Sequence, residues 1–147
     1  MLLRSLVAAA VGTMFMTLSS ETEMHIRGRE ASTSPGRAVS KLLSFVGVPQ
    51  IEGRTLRVLS TWTHWSYGTS WGVVWWLLID VASLALPLTA VLYFVIVWGT
   101  AQVHLPLLGV APPGWRWGAT ELAIDAFHHV AYVTGTTIGW VLLGRIG

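Results

Sequence analysis

The chain has 147 residues, of which 53% are hydrophobic and 11% charged, with a formal charge of +2 and no cysteine. About a quarter of an ordinary soluble domain is charged, so this composition excludes a free-standing enzyme with its own cofactor domain, and equally a disordered or collagen-like chain. The absence of cysteine removes disulfides, thiolate metal sites and cysteine nucleophiles, and without a basic stripe there is no case for nucleic acid.

Leu2 to Ser20 is apolar apart from Arg4 and a few hydroxyls. No clear small-x-small site precedes Glu21, so this stretch is read as a retained first helix rather than a cleaved secretory signal. Residues 21–61 form a long loop. Within it Glu30 to Gly36 has linker composition, and Arg37 to Val48 alternates basic and apolar residues, the pattern of a short amphipathic helix. That helix lies either in the headgroup layer or on the protein's own face.

From Ser66 to Gln102 the one ionisable group apart from tyrosine is Asp80. One helix needs roughly 20 residues to cross about 30 Å of hydrocarbon, so this run folds back, with Pro87 the expected turn. Spans are expected at 62–84 and 88–108. Pro112, Pro113 and Gly114 break the chain, and a last span is expected at 118–143. The fold class is thus all-α: a single polytopic membrane domain of four spans. Arg27, Arg29, Arg37, Lys41, Arg54, Arg57 and Arg116 fall on one side, with Arg4 and Arg145 opposite, which puts the 21–61 loop in the cytoplasm.

Trp62, Trp65, Trp115 and Trp117 flank the expected span ends, as interfacial anchors do. Trp71, Trp75, Trp76, Trp98 and Trp140 lie deeper and are read as packing residues. Gly68-x-x-x-Gly72 and Gly135-x-x-x-Gly139 are small faces that let backbones approach closely, within the chain or against a partner.

The polar constellation lies in the last helix. At about 100° per residue, Glu121, Asp125, His128 and Tyr132 share an arc of roughly 60°, with His129 beside it. An acid at a bilayer centre costs on the order of 2.5–3.5 kcal/mol, so this face belongs toward protein, a wet cavity or the headgroups. His64 and His104 are matched to it in depth. The ligand types suit a divalent metal or a proton relay, and haem or pigment is a further option. With only one acid-x-x-His element, a dinuclear iron bundle is not expected. The alternative is structural: the groups satisfy one another and Arg116. Asp80 reads as a solvated helix end and His25 as ordinary surface.

His64-Trp65-x-Tyr67-Gly68-x-x-Trp71-Gly72, then His104-Leu-Pro106-Leu-Leu-Gly109-Val-Ala-Pro112-Pro113, then Glu121 to His129, resembles the YagU-like family of bacterial inner-membrane proteins over roughly residues 62–145. The resemblance implies a multi-pass helical protein of the bacterial cytoplasmic membrane and brings no reaction with it. With no catalytic motif and no internal repeat, the expected role is a non-catalytic accessory subunit of a larger membrane complex, whether respiratory, photosynthetic or transport-related. Its partners would be lipids and other subunits, and no cofactor is required. The alternative is an autonomous protein that binds a metal ion or relays protons through His64, His104, Glu121, Asp125, His128 and His129.

Overall fold

Ser5, Ala8, Ala9, Gly12 and Thr13 are the buried residues of the first helix, and every one of them is small. In a computed structural model, which describes residues 1–145, the rest of the chain gathers around that helix. The elements are α1 (Leu2–Arg27), α2 (Ser34–Ser44), α3 (Gly53–Ser70), α4 (Gly72–Trp76), α5 (Leu86–Leu107) and α6 (Ala119–Leu143). A π-helical turn, Leu77–Val81, prolongs α4, and a 3-10 turn, Gly114–Arg116, precedes α6. The described residues hold no strand, as an all-helical reading requires.

Side-chain pairings give the directions of the helices. Arg4 near the start of α1 meets Trp140 near the end of α6, while Arg27 at the other end of α1 meets Glu121 at the start of α6. Thr17 pairs with His64, and Tyr93 with Tyr132. Neighbours are therefore antiparallel, in an up-down-up-down bundle of α1, α3–α4, α5 and α6. The α2 loop and the 109–117 turn lie at one end, with the start of α1 and the end of α6 at the other.

Glycine sets how closely α1 is held. A Cβ on Gly72 would lie 2.6 Å from the Ser5 carbonyl oxygen and 2.7 Å from the Leu6 Cα, and one on Gly68 would collide with Thr13. On the adjacent flank, a Cβ on Gly135 would fall 2.7 Å from the Phe15 ring, and one on Gly139 3.2 Å from the Ala8 Cα. Both small-residue motifs thus work inside the chain, on two sides of α1. Thr13 and Thr136 are fully buried, and each returns its hydroxyl to the carbonyl four residues back at 2.9 Å, so neither needs a partner across the interface.

Below this contact lies an aromatic core. Trp75 and Tyr93 are fully buried with ring centroids 5.1 Å apart, Trp140 is 6.5 Å from Trp75, and Arg4 stacks on Trp140 at 3.6 Å. The α2 helix docks on α3 through Gly36, whose N–H donates to Ser60 Oγ at 2.9 Å; it leaves Leu42, Phe45 and Val46 exposed.

Several expectations are corrected. Only α1 and α5, among the described residues, are long and apolar enough to cross a membrane; four such spans are not supported. The α6 helix carries Glu121, Asp125, His128 and His129, and α3 is rich in hydroxyls and ends at Trp71. The first helix continues past Ser20 to Arg27, and α3 starts at Gly53, well before Trp62. Pro87 sits in the first turn of α5, where its missing N–H costs nothing, and the reversal falls at Ala82–Ala85, with Ser83 at φ 53°. Asp80 is not a freely solvated terminus: its Oδ2 is buried without a partner.

Gly72→Val should destabilise the bundle by about 1–3 kcal/mol, the usual cost of overpacking, because the atoms it meets are backbone. Gly99→Val, where a Cβ meets nothing within 4 Å, should be near neutral. Denaturant titration of the two variants in detergent, followed by circular dichroism, checks the contrast.

Candidate functional site

At the α2 end the bundle opens. The upper half of α5 stands away from α3, and the space between them and α1 and α6 is a cavity of about 1010 Å³. All six candidate residues, His64, His104, Glu121, Asp125, His128 and His129, line this one vestibule. Their depth match along the chain corresponds to a shared surface. Among the described residues, no three His, Asp or Glu side chains stand close enough together to share a metal ion.

Each acid has a separate engagement. Glu121, at the mouth, pairs with Arg27, which also holds Glu23 at 2.9 Å; Arg29 binds Glu23 as well. The expected partner Arg116 is thus replaced by a residue at the far end of the long first helix. Asp125, one turn deeper, accepts at Oδ2 from Trp98 Nε1 (2.8 Å) and Gln102 Nε2 (3.0 Å). These two bonds hold the upper part of α5 to α6.

The hydrogen-bond partners fix the tautomers of three histidines. His104 and His129 each donate Nδ1–H to the carbonyl four residues earlier, of Thr100 and Asp125, both at 2.8 Å. A carbonyl oxygen only accepts, so each neutral ring leaves a lone pair on Nε2. The Thr17 hydroxyl spends its hydrogen on the Thr13 carbonyl at 2.8 Å, so at 3.1 Å it accepts from His64 Nε2–H and leaves the lone pair on His64 Nδ1. His128 bonds Ser19 Oγ through Nδ1 at 2.7 Å; its Nε2 is buried without a hydrogen-bond partner, 3.9 Å from the Glu23 carboxylate.

Aromatic rings form part of the wall. Tyr67 lies 5.7 Å edge-on to Trp71 and 5.9 Å from His104, and the Trp71 N–H has no partner. Tyr132 lines the floor; its hydroxyl is 2.7 Å from that of the fully buried Tyr93 and donates to the Gly68 carbonyl at 2.7 Å. Beyond it stand Trp75, Leu78 and Trp140, so the polar lining stops half-way through the bundle.

Of the expected interfacial anchors, Trp62 and Trp115 are largely exposed near the mouth, Trp65 is partly so, and Trp117 is half-buried with its N–H on the Pro112 carbonyl. Sequence reasoning missed Thr17, Ser19, Tyr93 and Trp98. The hydroxyls of α1 were the available signal: they sit at helical spacing on the faces that meet histidine. No family model, curated protein or solved structure matches the chain.

Nitrogen-15 NMR of the histidines at neutral pH should show Nδ1–H tautomers for His104 and His129 and an Nε2–H tautomer for His64. Tyr132→Phe should cost about 1–3 kcal/mol in detergent unfolding, since Gly68 and Tyr93 both lose a buried partner.

Proposed function

We propose that this chain is a non-catalytic, four-pass membrane protein that works as a binding module, taking a small amphipathic molecule into its vestibule from one side. The observation that carries this reading is the closed floor. Polar lining enters from the α2 end and stops at the Tyr93–Tyr132 bond above a plug of aromatic and aliphatic side chains. A volume near 1010 Å³ suits a small ligand better than a single ion.

The four-pass reading rests on an inside-out distribution of polarity. The α6 helix buries His128, His129 and Tyr132 and turns Phe127, Val130, Ile138 and Leu142 outward. Exposed hydroxyls on α3 do not need water: Thr61, Ser66 and Ser70 return theirs to backbone carbonyls of the same helix. Outward apolar residues and self-satisfied hydroxyls suit lipid. The resemblance to YagU-like proteins supports a bacterial cytoplasmic membrane for that lipid, and the excess of Arg and Lys on the side of the 21–61 loop supports an orientation with that loop inside.

A second reading, an accessory subunit of a larger complex, has its own support. Leu88, Val91, Val95, Val103 and Leu107 form an exposed stripe along α5, with Gly99 open at its centre. Such a stripe accepts lipid or a neighbouring helix. Native particle size after gentle extraction separates them: the binding module alone runs as a small particle, and the subunit as a large one with fixed companions.

The direct test uses purified protein in lipid nanodiscs. Naphthylethanol should bind saturably, one per chain, and Ala101→Trp, which fills the vestibule wall, should weaken binding at least about tenfold without lowering the unfolding midpoint. Non-saturable partitioning, or binding indifferent to Ala101→Trp, would remove this reading.

A further inference from the structure

The uncommitted ring nitrogens of three vestibule histidines share one character. His104 and His129 present Nε2 lone pairs, and His64 presents an Nδ1 lone pair, none of them hydrogen-bonded within the chain. Asp125 holds both of its donors on Oδ2, and neither donor carries charge. Its neighbour His129 lies 3.9 Å away and gives its Nδ1–H to a backbone carbonyl rather than to this carboxylate. No Arg or Lys among the described residues pairs with Asp125, although Arg27 serves Glu121, and Arg27 and Arg29 serve Glu23. The Asp125 side chain is 29% exposed, so its carboxylate is partly desolvated and faces the vestibule without a cation. His128 adds a further polar atom without a hydrogen-bond partner: its side chain is 8% exposed and its Nε2 lies 3.9 Å from the Glu23 carboxylate, beyond hydrogen-bond reach. The wall carries the faces and edges of Trp65, Tyr67 and Trp71, whose π-systems attract cations.

We propose that the vestibule binds a lipophilic ammonium ion, a primary or secondary amine carried on an apolar or aromatic body. The Asp125 carboxylate supplies the counter-charge, the imidazole lone pairs accept N–H groups, and the aromatic wall receives the body. This rests on the binding-module reading and names its ligand class. A carboxylate ligand would meet the Asp125 charge and three acceptors, and a neutral phenol would leave that charge uncompensated. Two guanidiniums also line the vestibule: Arg29 is paired with Glu23, and Arg57 is exposed near the start of α3. An amine entering as the free base and protonating beside Asp125 also avoids carrying charge through lipid.

The experiment compares three naphthalene probes on full-length protein in nanodiscs: naphthylethanol, naphthylethylamine and the trimethylammonium analogue. The amine should bind at least about tenfold tighter than the alcohol, with the trimethyl analogue between them because it has charge and no N–H. Asp125→Asn should erase the preference, with an unchanged unfolding midpoint in detergent reporting an intact fold; Asp125→Glu should keep the preference. Equal affinity of amine and alcohol, or a preference that survives Asp125→Asn, overturns the ammonium proposal and leaves the binding module standing. A trimethyl analogue that equals the amine removes the lone-pair component. If no probe binds, the binding-module reading falls with it.

Discussion

Backbone-to-backbone approach at α1 is the constraint on which the rest of the bundle depends. Two helices come against it through glycine, on adjacent flanks, at separations that a single methyl group would prevent. On the proposed membrane reading there is little hydrophobic drive between helices, and such close van der Waals contact and internal hydrogen bonding would supply the cohesion. The small residues of α1 serve both needs. Ala8, Ala9 and Gly12 give the contact surface, while Thr13 satisfies its own hydroxyl and Thr17 has a lone pair left for His64.

A tight lower half makes an open upper half possible. Once α1, α4 and α6 are locked together above the aromatic core, α5 is held by Tyr93 and Val97 below and by the Asp125 bonds above. Asp125 therefore has two roles, tying α5 to α6 through one oxygen and facing the vestibule with the other. The aromatic core and the Tyr93–Tyr132 pair then separate a polar chamber from an apolar plug, which is why the geometry suits reception from one side rather than passage through.

Much of this arrangement was readable in the chain. The glycine spacings identified contact faces because no other residue leaves backbone that open, and the depth match of His64, His104, Glu121 and Asp125 followed from helix rise. What was not readable has physical causes. Neither motif names its partner, and the partner here is a helix whose own signal, a run of small residues, is weak. Arg27 and Arg116 are equally plausible mates for Glu121 until α1 is seen to continue past Ser20 and bring Arg27 to the mouth. The start of α3 is hidden because Arg54 and Arg57 interrupt its apolar pattern. Pro87 marks a helix start as readily as a turn, and only the backbone distinguishes them. The span count differs because the polar residues of α6 and α3 keep their mean hydropathy low, so that among the described residues only α1 and α5 are long and apolar enough to cross a membrane.

The one-sided chamber within a bilayer is the central claim, and site-directed labelling tests it most directly. The absence of cysteine means an introduced thiol is the sole target. Ala101→Cys, in the vestibule wall, and Leu78→Cys, beneath the floor, would be exposed to a membrane-impermeant maleimide from each face of oriented vesicles. The account predicts that position 101 reacts from the α2 face alone and position 78 from neither. Labelling of position 101 from both faces, or of position 78 from the α2 face, would mean a continuous path and would contradict it.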